Sequence, residues 1–443
     1  MFVFAVAALT PVMLLLCGAV LSYGIGLPHI LRPKTFLAVL QDRPETASAT
    51  SVTKAMTVAL AGTLGVGNIT GVSSAILQGG VGAIFWMWIG ALFSMAVKYG
   101  EVALAVRYRR RRPDGQYIGG MMFVIRDGLA QHGFGTGAAW LLGGVFALLC
   151  VANALVTGTL VQSHAAACVL PFFPRHTTGI LLALLVLLAI LYGIDRVGDI
   201  TLRLIPLLSG GFLLLSLWII VGHISYLPSI FREIFREAFA VSPMVGAGSA
   251  LHGGLFCALR YGITRGIFSN EAGCGTSPTA HAAAETKSPF HQGCFGILEV
   301  ICDTLFFCTC TALVLCIADR RFGILSGGTE DVVLRAFASF GGTFVYGILA
   351  GMVLLFAYAT ILAQLYYGST ALTYFRCSPI WLWFYRLVTV AVVVVGSVID
   401  GALMWQIADG LIGMMTCVNT AVLWFLRREI VETVPGKEKV QRG

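Results

Sequence analysis

Three observations predict an all-α integral membrane protein of about eleven transmembrane helices, arranged as two halves of five behind an extra N-terminal helix. The chain of 443 residues is 58% hydrophobic and only 11% charged, with a mean hydropathy of +0.87, against roughly one quarter charged in soluble domains. Apolar runs recur along its length. Two of them are interrupted by glycine-rich polar stretches, "GTLGVGNITG" and "SNEAGCGTSP", at corresponding places in the two halves.

The apolar runs lie near 2–27, 50–77, 80–106, 137–170, 178–194, 201–222, 245–284, 291–317, 343–372, 381–401 and 404–426. Each reaches the roughly 20 residues that a spanning helix needs. The first lacks a basic flank and a small-residue cleavage site, so Phe2–Leu27 reads as a retained helix and not a removed signal peptide. Segment 28–49 mixes Leu, Val and Phe with basic residues and is expected along the cytoplasmic interface. Segment 223–244 has apolar residues at helical spacing with Arg232, Glu233, Arg236 and Glu237 opposite, an amphipathic helix on the outer side.

No linker divides the chain, which predicts one membrane domain over 1–443: an extra helix at 1–27, a first repeat at 50–222, a second at 245–426 and a cytoplasmic tail at 427–443. Five is odd, so the second group of helices must enter from the opposite side, as an inverted repeat requires. The net charge of +8 is unevenly spread. Arg32, Lys34, Arg43, Arg109–Arg112, Arg126, Arg196, Lys287, Arg376, Arg427, Arg428, Lys437, Lys439 and Arg442 fall on one set of loops. Arg175, Arg232, Arg236, Arg320, Arg321 and Arg335 fall on the other. The positive-inside rule puts the N-terminus outside and the C-terminus in the cytoplasm. The basic excess is thus an orientation signal in a lipid bilayer, not a nucleic-acid patch. Twelve cysteines scattered through apolar runs, with no CxxC pair, read as small buried hydrophobes.

A backbone break within a membrane is tolerated only where it is buried or lines a cavity. The freed N–H groups of one half-helix attract an anion and the freed carbonyls of the other attract cations, a pair of ends that suits an amino-acid zwitterion with a metal ion. In the first break Gly65, Val66, Gly67 and Asn68 expose backbone. Gly67-x-x-x-Gly71 is also a helix-packing pattern, and this stretch alone does not choose between packing and unwinding. A dinucleotide loop is excluded because the third glycine is one residue late and no βαβ unit follows. The second break gathers Phe268, Ser269, Asn270, Glu271 and Gly273 with Gly275 and Thr276. Glu271, a costly intramembrane carboxylate, could bind an ion, take a proton or hold the unwound segment.

Lys98 and Glu101, three apart on one helix, are expected to pair locally. Asp303 beside Thr304 is the best further ion-site candidate, and Gln162 is a lone amide suited to an interhelical bond or a substrate contact. Nothing points to an enzyme or an organic cofactor: GxSxG, HExxH and a phosphate loop are absent, and His164, His252 and His281 have no evident partners in sequence.

The stretches "GVGNITGVSSAILQGGVGAIFWMWIGALFSMAVKYGEVALAVRYR", "GGMMFVIRDGL", "RYGITRGIFSNEAGCGTSPTAHAAAETKSPFHQG" and "DTLFFCTCTALVL" resemble the alanine or glycine:cation symporter family, in order and over about residues 30 to 425. The resemblance implies a LeuT-type fold in a bacterial or archaeal-type inner membrane, importing alanine or glycine with sodium as coupling ion. It assigns the amino acid to the backbone around Gly65, Gly67 and Asn68 and to Phe268–Gly273, with Gln162 facing it. It implies one sodium near Thr63 and Asn68, and another near Ala61, Leu64 and the pair Ala359–Thr360. The usual Gly-Thr-Gly-Asn reads Gly65-Val66-Gly67-Asn68 here, and the usual Ser-Thr reads Ala359-Thr360. Gln364 stands where a tryptophan is common, and Ser369 where a glutamate is. Each lost oxygen weakens the implied sodium sites.

Overall fold

Turn chemistry at the helix ends places the elements. The computed structural model describes residues 2–41, 49–113, 115–170, 173–193, 197–240, 254–286, 288–327 and 331–437. Helix α1 (Phe2–Ile25) stops at Gly26, which is left-handed, and is followed by the short α2 (Leu27–Ile30) and by α3 (Pro33–Gln41), which buries no residue. This agrees with a surface-lying segment. The first interrupted run is α4 (Ala49–Thr63) and α5 (Thr70–Gly79), bent by 51° about a 3-10 turn at Val66–Asn68. Gly80, at φ 76°, ends α5 and lets the chain reverse into α6 (Ala83–Arg107), which is buried along most of its length.

A two-residue hairpin, β1 (Arg110–Arg111) with β2 (Tyr117–Ile118), leads to α7 (Met121–Gln131). Next come α8 (Thr136–Leu155) and α9 (Val161–Cys168), continuous through a π-turn at Val156–Leu160, then α10 (Arg175–Tyr192) and α11 (Val197–Gly222). Helix α12 (Leu227–Ala238) buries Ile230, Ile234 and Ala238 and exposes Arg232 and Arg236, the expected amphipathic element. The second interrupted run is α13 (Leu255–Asn270) and α14 (Pro278–Ala282).

Helices α15 (Pro289–Val300) and α16 (Thr309–Phe322) join through a π-turn at Ile301–Cys308, with Ser288 capping the start of α15 at 3.1 Å. In α17 (Val332–Leu372) Gly342, at φ 67°, breaks the helix just where the apolar run was expected to begin. The bundle ends with α18 (Pro379–Val398), α19 (Gly401–Phe425), capped by Asp400 on Leu403 N at 2.9 Å, and α20 (Arg427–Glu432).

Among the described residues eight helices are long and apolar enough to cross a membrane, nine with the bent α4–α5 pair. The sequence count of about eleven is reached only by adding the apolar helix Leu9–Ile25 and the α13–α14 pair. The second break leaves α13 at 16 residues, too short to be counted by length. The expected helix start at 245, His252, Arg43, Arg196, Lys287, Lys439 and Arg442 lie outside the described residues. One continuous core joins the helices, with α6 packed between α13 and α15 and α5 against α13. The outer faces of α10, α11 and α18 present Leu184, Leu188, Leu207, Leu214, Trp381 and Phe384, a belt suited to lipid.

Candidate functional site

The two breaks meet. Between Thr63 and Thr70 the chain leaves the α-helix, and Gly65 and Gly67 are there because neighbouring helices come too close for a side chain. A methyl on Gly65 would collide with the Thr360 hydroxyl and lie 3.0 Å from Gln162 Oε1. One on Gly67 would lie 3.2 Å from the Phe268 ring, which Gly71 also meets at 3.6 Å. The small-residue pattern therefore packs on one aromatic side chain of α13, while the turn just before it is unwound. Packing and unwinding coexist in one stretch.

Between α13 and α14 the backbone enters the left-handed region at Glu271 (φ 52°), Gly273 (φ 89°) and Gly275 (φ 72°). Glycine does so freely, whereas a glutamate there costs about 1 kcal/mol. Hydrogen bonds to its carboxylate hold it: Thr276 Oγ1 donates at 2.7 Å, and Gln364 Nε2 donates to the other oxygen. Gly273 N donates to Glu101 at 3.0 Å, and Asn419 Nδ2 bridges Glu101 to the Gly273 carbonyl.

A small cavity of about 10 Å³, room for about one water molecule, lies between the breaks and is lined by Gly62, Thr63, Gly67, Thr157, Gln162, Phe268, Glu271, Thr360 and Gln364. Gln162 Oε1 accepts from Val66 N at 3.2 Å, so this amide is both an interhelical bond and part of the wall. Phe268 packs at a tilt against Trp405, ring centroids 4.9 Å apart, and Trp405 lies under Arg265, whose guanidinium grips Asp409 at 2.6 and 3.1 Å. That chain of contacts backs the Phe268 wall of the cavity with α19.

Two oxygen clusters flank it. Thr360 Oγ1 of α17 donates to the Ala61 carbonyl at 2.8 Å. Leu64 and Ala359 are buried nearby in sequence, but among the described residues no cross-helix hydrogen bond joins their carbonyls to this pair. On the other side, Asp303 in the α15–α16 π-turn accepts from Asn68 Nδ2 at 2.5 Å, Ser269 Oγ at 3.0 Å and Thr304 Oγ1 at 2.7 Å. Asn68 Oδ1 accepts from Gly65 N at 3.2 Å, and Asn270 donates to Thr304 at 3.1 Å. Thr63 is turned back onto Ala59 and Leu60. It lines the cavity, while Asn68 belongs to the Asp303 cluster.

The sequence profile of the sodium:alanine symporter family matches residues 2–441. The chain belongs to that family. Within the sodium:alanine symporter family, it is 35% identical over 446 residues to the sodium/alanine symporter AgcS of Methanococcus maripaludis, covering 98% of this chain and 94% of that protein. In architecture it is similar to the manganese transporter of Eremococcus coleocola (TM-score 0.56, 14% identity, 91% of this chain and 86% of that one). It is also similar to a Na+-coupled sialic acid symporter (TM-score 0.53, 13% identity, 100% and 88%). At such identities the likeness speaks to the fold, and it is the LeuT type. The protein is a transporter and not an enzyme.

Two sequence expectations for this family member are corrected. Lys98 and Glu101 do not pair with each other: Lys98 Nζ reaches Ser277 Oγ at 2.7 Å and Glu299 at 3.4 Å, while Glu101 turns to Gly273 and Asn419. The neighbour rule applies to exposed helix faces, and α6 is buried all round from Ser94 to Val106, so each group finds a partner on a different helix. His281 is not partnerless, since Nε2 meets Glu299 at 3.2 Å and Nδ1 meets Gln292 at 2.8 Å. The wall residues Thr157 and Gln364 were absent from the expected site. Gln364 carried a signal as a departure from the family pattern, whereas Thr157 carried none.

Proposed function

We propose that the protein is a sodium-coupled symporter that brings small neutral amino acids, alanine or glycine, into the cell. The observation that carries this reading is the meeting of both helix breaks at one buried cavity, with an oxygen cluster on either side. In this reading the amino acid's carboxylate sits at the backbone N–H groups of the first break, near Gly65, Val66, Gly67 and Asn68, and takes the place of the Asn68 and Gln162 oxygens that now hold the Gly65 and Val66 N–H groups. Its ammonium sits against Phe268–Gly273, with Gln162 and Glu271 beside it. One sodium binds between Ala61, Leu64 and Thr360, where Thr360 already meets the Ala61 carbonyl. A second binds at Asn68, Asp303 and Ser269, where the Asp303 carboxylate supplies an anionic oxygen. Thr63 contributes to the cavity wall between them. Each ion links one broken helix to a neighbouring element, so occupancy favours closure.

The domain reading goes with it: an extra helix at 1–27, repeats at 50–222 and 245–426 and a tail at 427–443. The orientation is N-out and C-in in a bacterial or archaeal-type inner membrane. Lys437 Nζ donates to the Gly24 carbonyl at 2.6 Å, and Arg107 pairs with Glu429 at 3.2 Å. The end of α1, the basic end of α6 and the tail therefore share one face, which supports this orientation.

Uptake of labelled alanine and glycine into proteoliposomes, with sodium replaced by potassium on both sides, tests the function. Accumulation that needs an inward sodium gradient is expected, and its absence under both sodium and proton gradients would overturn amino-acid symport. Proton coupling is the second reading, favoured because Glu271 lines the cavity and receives its hydrogen bonds from the neutral groups of Thr276 and Gln364. Accumulation driven by a proton gradient in sodium-free buffer would select it.

A further inference from the structure

The hydroxyls around the cavity have spent their donors on the protein, and each wall amide has spent one of its two. Thr63 Oγ1 donates to the Ala59 or Leu60 carbonyl at 3.3 and 3.4 Å, Thr157 Oγ1 to Asn153 at 2.9–3.0 Å and Thr360 Oγ1 to Ala61 at 2.8 Å. Gln162 Nε2 donates to the Thr157 carbonyl at 3.3 Å, and Gln364 Nε2 to Glu271. The three hydroxyls therefore have only lone pairs left to offer.

Gln364 is the outstanding member of this wall. It is 1% exposed, and its Oε1 has no hydrogen-bond partner among the described residues. While Glu271 is ionised the amide is not free to turn over, because a carboxylate accepts only, and Glu271 thereby commits Nε2 and leaves Oε1 as the unmet atom. The stem is fixed as well: it runs across Gly158 in the π-turn, where a methyl would collide with it and lie 2.9 Å from Cδ. A held, buried acceptor in the wall of a small cavity is costly when unmet and selective when met.

We propose that Gln364 sets side-chain selectivity, favouring amino acids whose short side chain donates a hydrogen bond, a hydroxyl or a carboxamide, over apolar ones of equal size and over acidic ones. This rests on the amino-acid symport reading and names the substrate class within it. An ethyl group in place of a hydroxymethyl leaves Oε1 unmet in the bound state. A side-chain carboxylate meets the carboxylate of Glu271 in the same wall, which repels it.

The test is competition against labelled serine and labelled alanine uptake in proteoliposomes of the full chain, under inward sodium and proton gradients together. The competitors are serine, α-aminobutyrate, which replaces the hydroxyl by a methyl, and glutamate. Serine is expected to compete about tenfold or more better than α-aminobutyrate, and glutamate not at all. In Gln364→Met, which keeps the length and removes the oxygen, the serine to α-aminobutyrate ratio is expected to fall to about one. Being a ratio, it does not depend on how much protein folds, and the wild-type ratio stands as a test without the variant. Equal competition in the wild type, effective glutamate competition, or an unchanged ratio in Gln364→Met would overturn the proposal while leaving symport standing. If neither serine nor alanine accumulates, symport itself falls and the selectivity with it.

Discussion

At the scale of single residues, Asp303 shows how a buried carboxylate is made tolerable. It is fully buried, and its two oxygens accept from Asn68, Ser269 and Thr304, which belong to the first break, the second break and its own turn. Such charge-assisted bonds are worth about 1.5–3 kcal/mol each, and they place negative charge where both breaks can sense it. Asp303→Asn keeps the shape and removes the charge. The sodium concentration for half-maximal uptake is expected to rise by about tenfold or more, with a smaller effect on the affinity for alanine, measured as the sodium dependence of initial uptake rates. An unchanged sodium dependence would place Asp303 outside ion binding. The polar character of this residue was readable in "EVICDTLFF", but its partners were not, because Asn68 lies 235 positions away.

At the scale of elements, α6 is a strut between the broken α13–α14 run and α15. Lys98 faces Ser277 and Glu299, and Glu101 faces Gly273 and, through Asn419, α19. His281 adds a second contact to Glu299. Removing one partner of a buried ion pair leaves the other charge uncompensated, at about 3–5 kcal/mol. Lys98→Met is therefore expected to lower the thermal unfolding midpoint in detergent by several degrees, and adding Glu299→Gln to recover part of the loss, since the uncompensated charge of Glu299 is then removed as well. A double variant no better than the single would argue against a direct Lys98–Glu299 coupling. Both breaks were legible as elements, because glycine and polar residues inside an apolar run have few other uses. The strut was not legible, since helical spacing names neighbours on one helix and says nothing of which other helices surround it.

At the scale of the whole molecule, the basic loops and the tail cluster about one end of the bundle. Lys437 is tied to the end of α1, Arg107 to Glu429, and Arg110 and Arg126 to Asp127. A cysteine at Lys437 is expected to react with a membrane-impermeant maleimide only after cells are permeabilised, whereas one at Arg232 on α12 should react in intact cells. Labelling in the reverse sense would invert the orientation. The exposed leucines and tryptophans of α10, α11 and α18 would destabilise a soluble protein, and they suit a hydrocarbon surround.

By itself the sequence determined the membrane class, the places of the helices, the two breaks and the family, because hydropathy, breaker residues and motif order are local properties of the chain. Only the tertiary structure decided that Gly65 yields to Thr360 and Gly67 to Phe268, and that Gln364, from outside both breaks, joins Thr276 in holding Glu271. It alone decided that the hydroxyl donors around the cavity are already spent. Those facts depend on which side chains arrive from distant helices, and helix packing brings them there without leaving a periodic trace in the sequence.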